Sequence, residues 1–184
     1  MDMEQKGALG EQAYAKALQY ELDYGCCPQC VLATVQETIG IIDDQTVKAS
    51  HGLSGGGGLL GEGVCGALTG GLMVLSAKYG RDRDKLDSGR FINNFKKAKE
   101  LTERFRQEFG GVTCQQLQQQ FTGKTYDMWN ADEYKAFDQA RGQKCAHEGE
   151  RNQQNVGQSF HAVCPLLWNA IIPDFGKCCV DLLF

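Results

Sequence analysis

Residues 24–40 read YGCCPQCVLATVQETIG, three cysteines and a proline set directly against an apolar run. Two folds compete for this stretch. Cys27-Pro-Gln-Cys30 is a CxxC at a helix start, which in a thioredoxin-like fold follows a hydrophobic strand inside a βαβ unit. The residues in front carry Leu9, Ala13, Ala17 and Tyr20 at helical spacing, without the alternation of a strand. Behind the motif, Val31, Leu32, Val35 and Ile39 keep the helical period until Gly40, a glycine placed to stop a helix. Helix therefore flanks the thiols on both sides, and no βαβ pattern follows. The expectation is an all-α, single-domain helical bundle.

Working outward strengthens that reading. Asp43 or Asp44 is placed to cap a short helix through Ala49. Residues 51–63, HGLSGGGGLLGEG, read as a loop too rich in glycine for regular structure. Residues 65–80, CGALTGGLMVLSAKYG, then form a buried central helix ended by glycine. Ser88 is placed to cap a long helix to Phe109, with Phe91, Phe95, Ala98, Phe105 and Phe109 as one stripe facing a core or a dimer seam. Thr113–Gln120 and residues 130–140 read as shorter helices, and CPLLWNAIIPDFGKCCVDLLF as a final helix broken near Pro173. One domain spanning residues 1–184 follows, with a core over about 12–120 and a looser cysteine-containing part over 121–184.

Composition narrows the function. A net charge of −4 speaks against nucleic-acid binding by phosphate neutralisation. The N-terminus is amphipathic and acidic, unlike a secretory signal, and the uncharged stretch from Gly63 to Ala77 is shorter than the roughly 20 apolar residues of a membrane span. The setting expected is cytoplasmic, where thiols stay reduced and clustered cysteines serve metal binding or catalysis more often than crosslinking. Nine cysteines, an odd number, cannot all pair within one chain. Between Lys78 and Arg106 ten basic residues face five acids, a solvated helix face or a docking surface for an acidic electron-transfer partner.

Four cysteines share a placement. Cys27 and Cys164 each precede a proline and an apolar helix, which puts them at N-caps. Cys65 opens the central helix, and Cys114 follows Thr113 at another helix start. Unpaired N–H groups and the helix dipole favour thiolate there, the form that binds metal or attacks a disulfide. Cys26, Cys30 and Cys145 are candidates for extra or substitute ligands or resolving thiols, with simple packing open as well for Cys26 and Cys145; Cys178 and Cys179, in the apolar tail, read as packing. His51, His147 and His161 show no paired spacing. Gly61-Glu-Gly-Val-Cys-Gly66 fits GxGxxG but lacks the strand a dinucleotide site needs. Gly66, Gly70 and Gly71 on the central helix instead suit the close approach of a helix or an inorganic cluster, with loop N–H groups turned to cluster sulfurs. A disulfide staple, a thiol redox centre and a metal site all remain open on the residues alone.

Cys65-Gly66-Ala67-Leu68-Thr69-Gly70 resembles the CGAxxG motif of the redox-active four-cysteine family labelled C_GCAxxG_C_C. The family's first cysteine, opening a helix of form C-x-Q-x-V-L, is similar to Cys27-Pro-Gln-Cys-Val-Leu32, and its third to Cys114 in GGVTCQQL. The fourth is Cys164, with Cys145 as the other candidate. The family in turn resembles the non-haem part of split-Soret cytochrome c. The resemblance implies a helical homodimer holding an iron–sulfur cluster, [2Fe–2S] or [4Fe–4S], on Cys27, Cys65, Cys114 and Cys164, with electron transfer to a redox partner protein or redox sensing as its role. No CxxC is followed by histidine, so no c-type haem is expected. Two alternatives stand beside this: a thiol–disulfide oxidoreductase using Cys27 with Cys30 or Cys26, and a zinc-stabilised interaction module.

Overall fold

Two successive residues with positive φ, Gly25 and Cys26, turn the chain sharply between its first two helices. α1 (Met3–Tyr24) and α2 (Cys27–Ile39) therefore fold back on each other as a hairpin. The computed structural model describes residues 3–146, and among these are seven α-helices and no strand. The fold is all-α, as expected. Ala13 and Ala17 are fully buried on one face of α1, the small side chains letting α2 lie close. On the rim, Glu37 of α2 pairs with Lys16 and accepts from Tyr20 Oη at 2.6 Å. Gly40, with φ of 79°, ends α2 where the sequence places the stop.

α3 (Asp44–Ala49) is capped by Asp43, whose carboxylate accepts from Thr46 N at 2.7 Å. The glycine-rich segment after it is more ordered than its composition suggests. It opens as a 3₁₀ turn over His51–Gly56 and then bonds to itself. The N–H groups of Gly58, Gly61 and Gly63 donate to the carbonyls of Gly52, Gly55 and Gly56 at 2.8, 2.8 and 2.9 Å. Those donors are thus engaged within the loop, contrary to the expectation that they serve cluster sulfurs.

α4 (Gly66–Tyr79) crosses α2 at the centre of the core, where Leu32, Leu68, Val74 and Leu75 are fully buried. Two glycines set the distance. A Cβ at Gly66 would stand 2.8 Å from Pro28 Cδ, and one at Gly70 would stand 2.9 Å from Val31 Cβ and 3.1 Å from the Pro28 backbone. Gly66 and Gly70 are one helical turn apart, so they present one bare face to the start of α2.

α5 (Ile92–Phe109) begins three residues later than the Ser88 cap predicts. Ser88 Oγ instead donates back to Lys85 O at 2.8 Å, closing the turn after a short 3₁₀ segment, and Phe91 in the left-handed region precedes the helix. The predicted aromatic stripe divides. Leu101, Phe105 and Phe109 are core, with Phe105 and Phe109 ring centroids 4.8 Å apart, whereas Phe95 is 61% exposed. α6 (Cys114–Thr122) starts with a full capping box: Thr113 Oγ1 accepts from Gln116 N, and Gln116 Oε1 accepts from Thr113 N. α7 (Ala131–Ala146) follows. The expected helix over residues 164–184 lies outside the described residues. Among the described residues no helix is long and apolar enough to cross a membrane.

Candidate functional site

Three helix starts meet at one place. Cys65 is the N-cap of α4, as the sequence predicts; Cys27 and Cys114 are first helical residues, of α2 and α6, one position inside the N-cap. At α2 the cap is Cys26, because the two-residue turn carries it at positive φ and leaves Pro28 as the second helical residue. The close crossing at Gly66 brings α4 onto Cys27: the position of a Cβ there is 2.9 Å from Cys27 Cβ. A backbone clamp then joins the approaches to α4 and α6. Val64 and Thr113 form an antiparallel bridge, Cys65 N donates to Val112 O at 2.8 Å, and Cys114 N donates to Gly63 O at 3.0 Å. Cys65 is buried, and Cys27 and Cys114 are half-buried beside it.

A fourth acidic group joins them. Glu21 lies one step beyond Ala13 and Ala17 on the same face of α1, only 5% exposed, and Cys27 Sγ donates to its Oε1 at 3.4 Å. Burial pushes the Cys65 thiol up to about 12 and the Cys114 thiol up to about 11, and it holds Cys27 well above the usual thiol range. Mutual repulsion adds to burial: Glu21 and the other two cysteines act on Cys27, Cys114 and Glu21 act on Cys65, and Glu21 acts on Cys114. The expectation that helix starts favour thiolate is met only in part. At α4 the N–H groups of Ala67 and Leu68 do support the Cys65 sulfur. At α6, Cys114 N and Gln115 N donate to Gly63 O and Gly61 O instead. Desolvation outweighs the dipole at all three sulfurs.

The model of the family "Putative redox-active protein (C_GCAxxG_C_C)" matches residues 25–164. The chain belongs to this family. No curated protein matches the chain, and no solved structure matches it. Redox activity is the role the family description carries, and the fold explains the family's motif physically. In C-G-A-x-x-G the cysteine caps α4, the alanine is buried, and the two glycines are the bare face that lets α4 reach α2 and Cys27.

The remaining predicted residues separate clearly. Cys30, one turn along α2, is buried in the core and donates from Sγ to Gly25 O at 2.8 Å, away from a pairing with Cys27. Cys26 Sγ points to His51 O at 3.7 Å, and its thiol is also raised, mainly by burial. No two of the five cysteines with described side chains are joined by a disulfide. Cys145 lies on α7 with its side chain outside the description; Cys164, Cys178, Cys179, His147 and His161 lie outside the described residues altogether. Two site residues escaped the sequence reading. Glu21 was signalled by the i, i+4, i+8 stripe Ala13–Ala17–Glu21, where an acid falls on an apolar face. Gln118, also buried, holds Cys114 Sγ at 3.6 Å and Met128 Sδ at 3.5 Å through Nε2 and accepts from Tyr126 N at 3.0 Å. Among the described residues no three His, Cys, Asp or Glu side chains close on one point as a single-ion site requires.

Proposed function

We propose that this family member binds a cysteine-ligated iron–sulfur cluster and works in electron transfer or redox sensing. The observation that carries the reading is the convergence of Cys27, Cys65 and Cys114, distant in sequence, at one withdrawn place. Without a cation the three thiols stay protonated, as their raised pKa values require; as thiolates beside a carboxylate they could share this buried place only with a cation to offset the charge. The donor set therefore fits a metal centre, and soft thiolates suit iron–sulfur chemistry. When bound, such a cluster supplies one-electron transfer at a potential set by its surroundings.

The chain's own groups have definable tasks there. The N–H groups of Ala67 and Leu68 and the Gln118 amide stabilise sulfur charge. The thiols must release protons on loading, so metal uptake favours higher pH. A further protein ligand is needed; the resemblance offers Cys164, where the family match ends, with Cys145 in its place. A redox partner protein, a homodimeric state and a cytoplasmic setting belong to the same proposal. The thiol–disulfide reading draws less support, because an attacking cysteine needs a lowered pKa and exposure, and Cys27 has the opposite.

Anaerobic purification tests this. The protein should be brown, with iron, acid-labile sulfide and charge-transfer absorption. Cys27→Ser, Cys65→Ser and Cys114→Ser should each lose most of the iron, and Cys30→Ser should retain it. A colourless, iron-free protein that resists reconstitution with iron and sulfide would overturn the proposal, and zinc without sulfide would replace it with the structural reading.

A further inference from the structure

Glu21 lies outside the residues that the family model matches, so the family motif does not account for it. Its position is nevertheless fixed by packing. Ala13 and Ala17 seat the same face of α1 against the core, and the two-residue turn at Gly25–Cys26 carries Cys27 back over the carboxylate. The separation is informative. A thiolate at about 2.3 Å and a carboxylate oxygen at about 2.0 Å on one tetrahedral metal atom stand about 3.5 Å apart. Cys27 Sγ and Glu21 Oε1 are 3.4 Å apart. Cys65 and Cys114 form the other pair: they flank the Val64–Thr113 bridge on opposite sides of the clamp, Cys65 opposite Val112 and Cys114 opposite Gly63, with their sulfurs within electrostatic reach of each other. Two pairs of donors are what a two-iron centre needs, and they require no set of three around one point.

We propose that Glu21 is an oxygen ligand of the centre, sharing one iron with Cys27 while Cys65 and Cys114 hold the second iron of a [2Fe–2S] cluster. The inference rests on the iron–sulfur reading above and deepens it: Glu21, rather than Cys164 or Cys145, is the fourth protein ligand. On binding, the carboxylate donates an oxygen lone pair to iron and releases any proton it holds to solvent. A hard oxygen donor at one iron makes the two irons inequivalent, so an added electron settles preferentially on one of them.

The test uses the full-length protein, reconstituted anaerobically with ferrous iron and sulfide. The wild type should hold two irons and two sulfides per chain. Glu21→Gln and Glu21→Ala should lose iron to a chelator at least about tenfold more readily, the scale typical of disturbed metal shells. Glu21→Cys should keep the iron with a shifted charge-transfer spectrum and a changed EPR signal after reduction. Cys164→Ser and Cys145→Ser should retain iron at the wild-type level. Should the Gln and Ala variants fold poorly by circular dichroism, the Cys variant decides: an unchanged spectrum overturns the assignment. Wild-type iron retention and spectra in Glu21→Gln, or iron loss in Cys164→Ser, overturn the Glu21 assignment alone. A wild-type protein that takes up no iron overturns this assignment together with the reading beneath it.

Discussion

The two ends of α4 are built differently. At its start, Gly66 and Gly70 press bare backbone against Pro28 and Val31, the clamp at Val64–Thr113 fixes the entry, and Cys65 is buried against Cys27. Past its last residue, Tyr79, the chain runs through exposed Leu86, Ile92 and Phe95. Surface contacts such as Arg81 Nη1 to Gly89 O at 2.8 Å and Lys85 to Asp82 at 2.6 Å hold that far end. Exposed ion pairs of this kind contribute little. Close fit is thus concentrated where the thiols are, and the far end tolerates change.

The largest test of that contrast is Gly70→Ala. The added methyl meets Val31 and Pro28 backbone, neither of which can swing aside, so α4 must move off α2. A loss of about 1–3 kcal/mol in denaturant unfolding is expected, with a matching drop in metal retention. Gly52→Ala, where nothing lies within 4 Å of the new methyl, is the control and should leave both unchanged. If the two variants behave alike, the close crossing is not what shapes the site.

Alkali should distinguish the ends next. The folded thiols of Cys65 and Cys114 titrate at about 12 and about 11, above the ordinary value of 9.0. The native state therefore holds protons that the unfolded chain has released, and stability falls as pH rises from about 9 through the folded values. The melting temperature of the metal-free protein should drop across that window, and replacing both thiols by alanine should flatten the slope. A smaller effect is expected from Thr113→Ala, which removes the cap of α6 and half of its capping box: about 1 kcal/mol by thermal unfolding. Least of all should come from Phe95→Ser at the far end, within about 0.5 kcal/mol and with metal content intact. A large loss there would mean that the exposed ring is covered in solution.

What could be read in the sequence follows the same division. The Asp43 cap, the Gly40 stop and the starts of α4 and α6 are local events, decided by a few neighbouring residues, and the chain declares them. The two bare positions of α4 were legible as close approach, although only the fold names Pro28 and Val31 as what they approach. Placement by tertiary contact was less visible. Ser88 carries good capping chemistry, yet its hydroxyl turns to Lys85 O, and α5 waits for Ile92. Phe95 has the right spacing for the stripe, but α4 meets this end of α5 through Asn94 and Lys97 instead, and the ring stays in solvent. The thiols illustrate the limit best. Position at a helix start is a property of sequence; the depth of burial that raises their pKa values is a property of packing.

One consequence follows from the clamp between residues 61–65 and 112–115. Its hydrogen bonds join parts of the chain separated by the whole of α4 and α5. During synthesis, Cys27 and Cys65 emerge first, and α2 and α4 can dock through nearby contacts while Cys114 has yet to be made. Closing the long intervening loop comes afterwards, at an entropic cost that grows with its length. Cys27 and Cys65 can thus be brought together before Cys114 has been made, and the three-thiol arrangement is completed last.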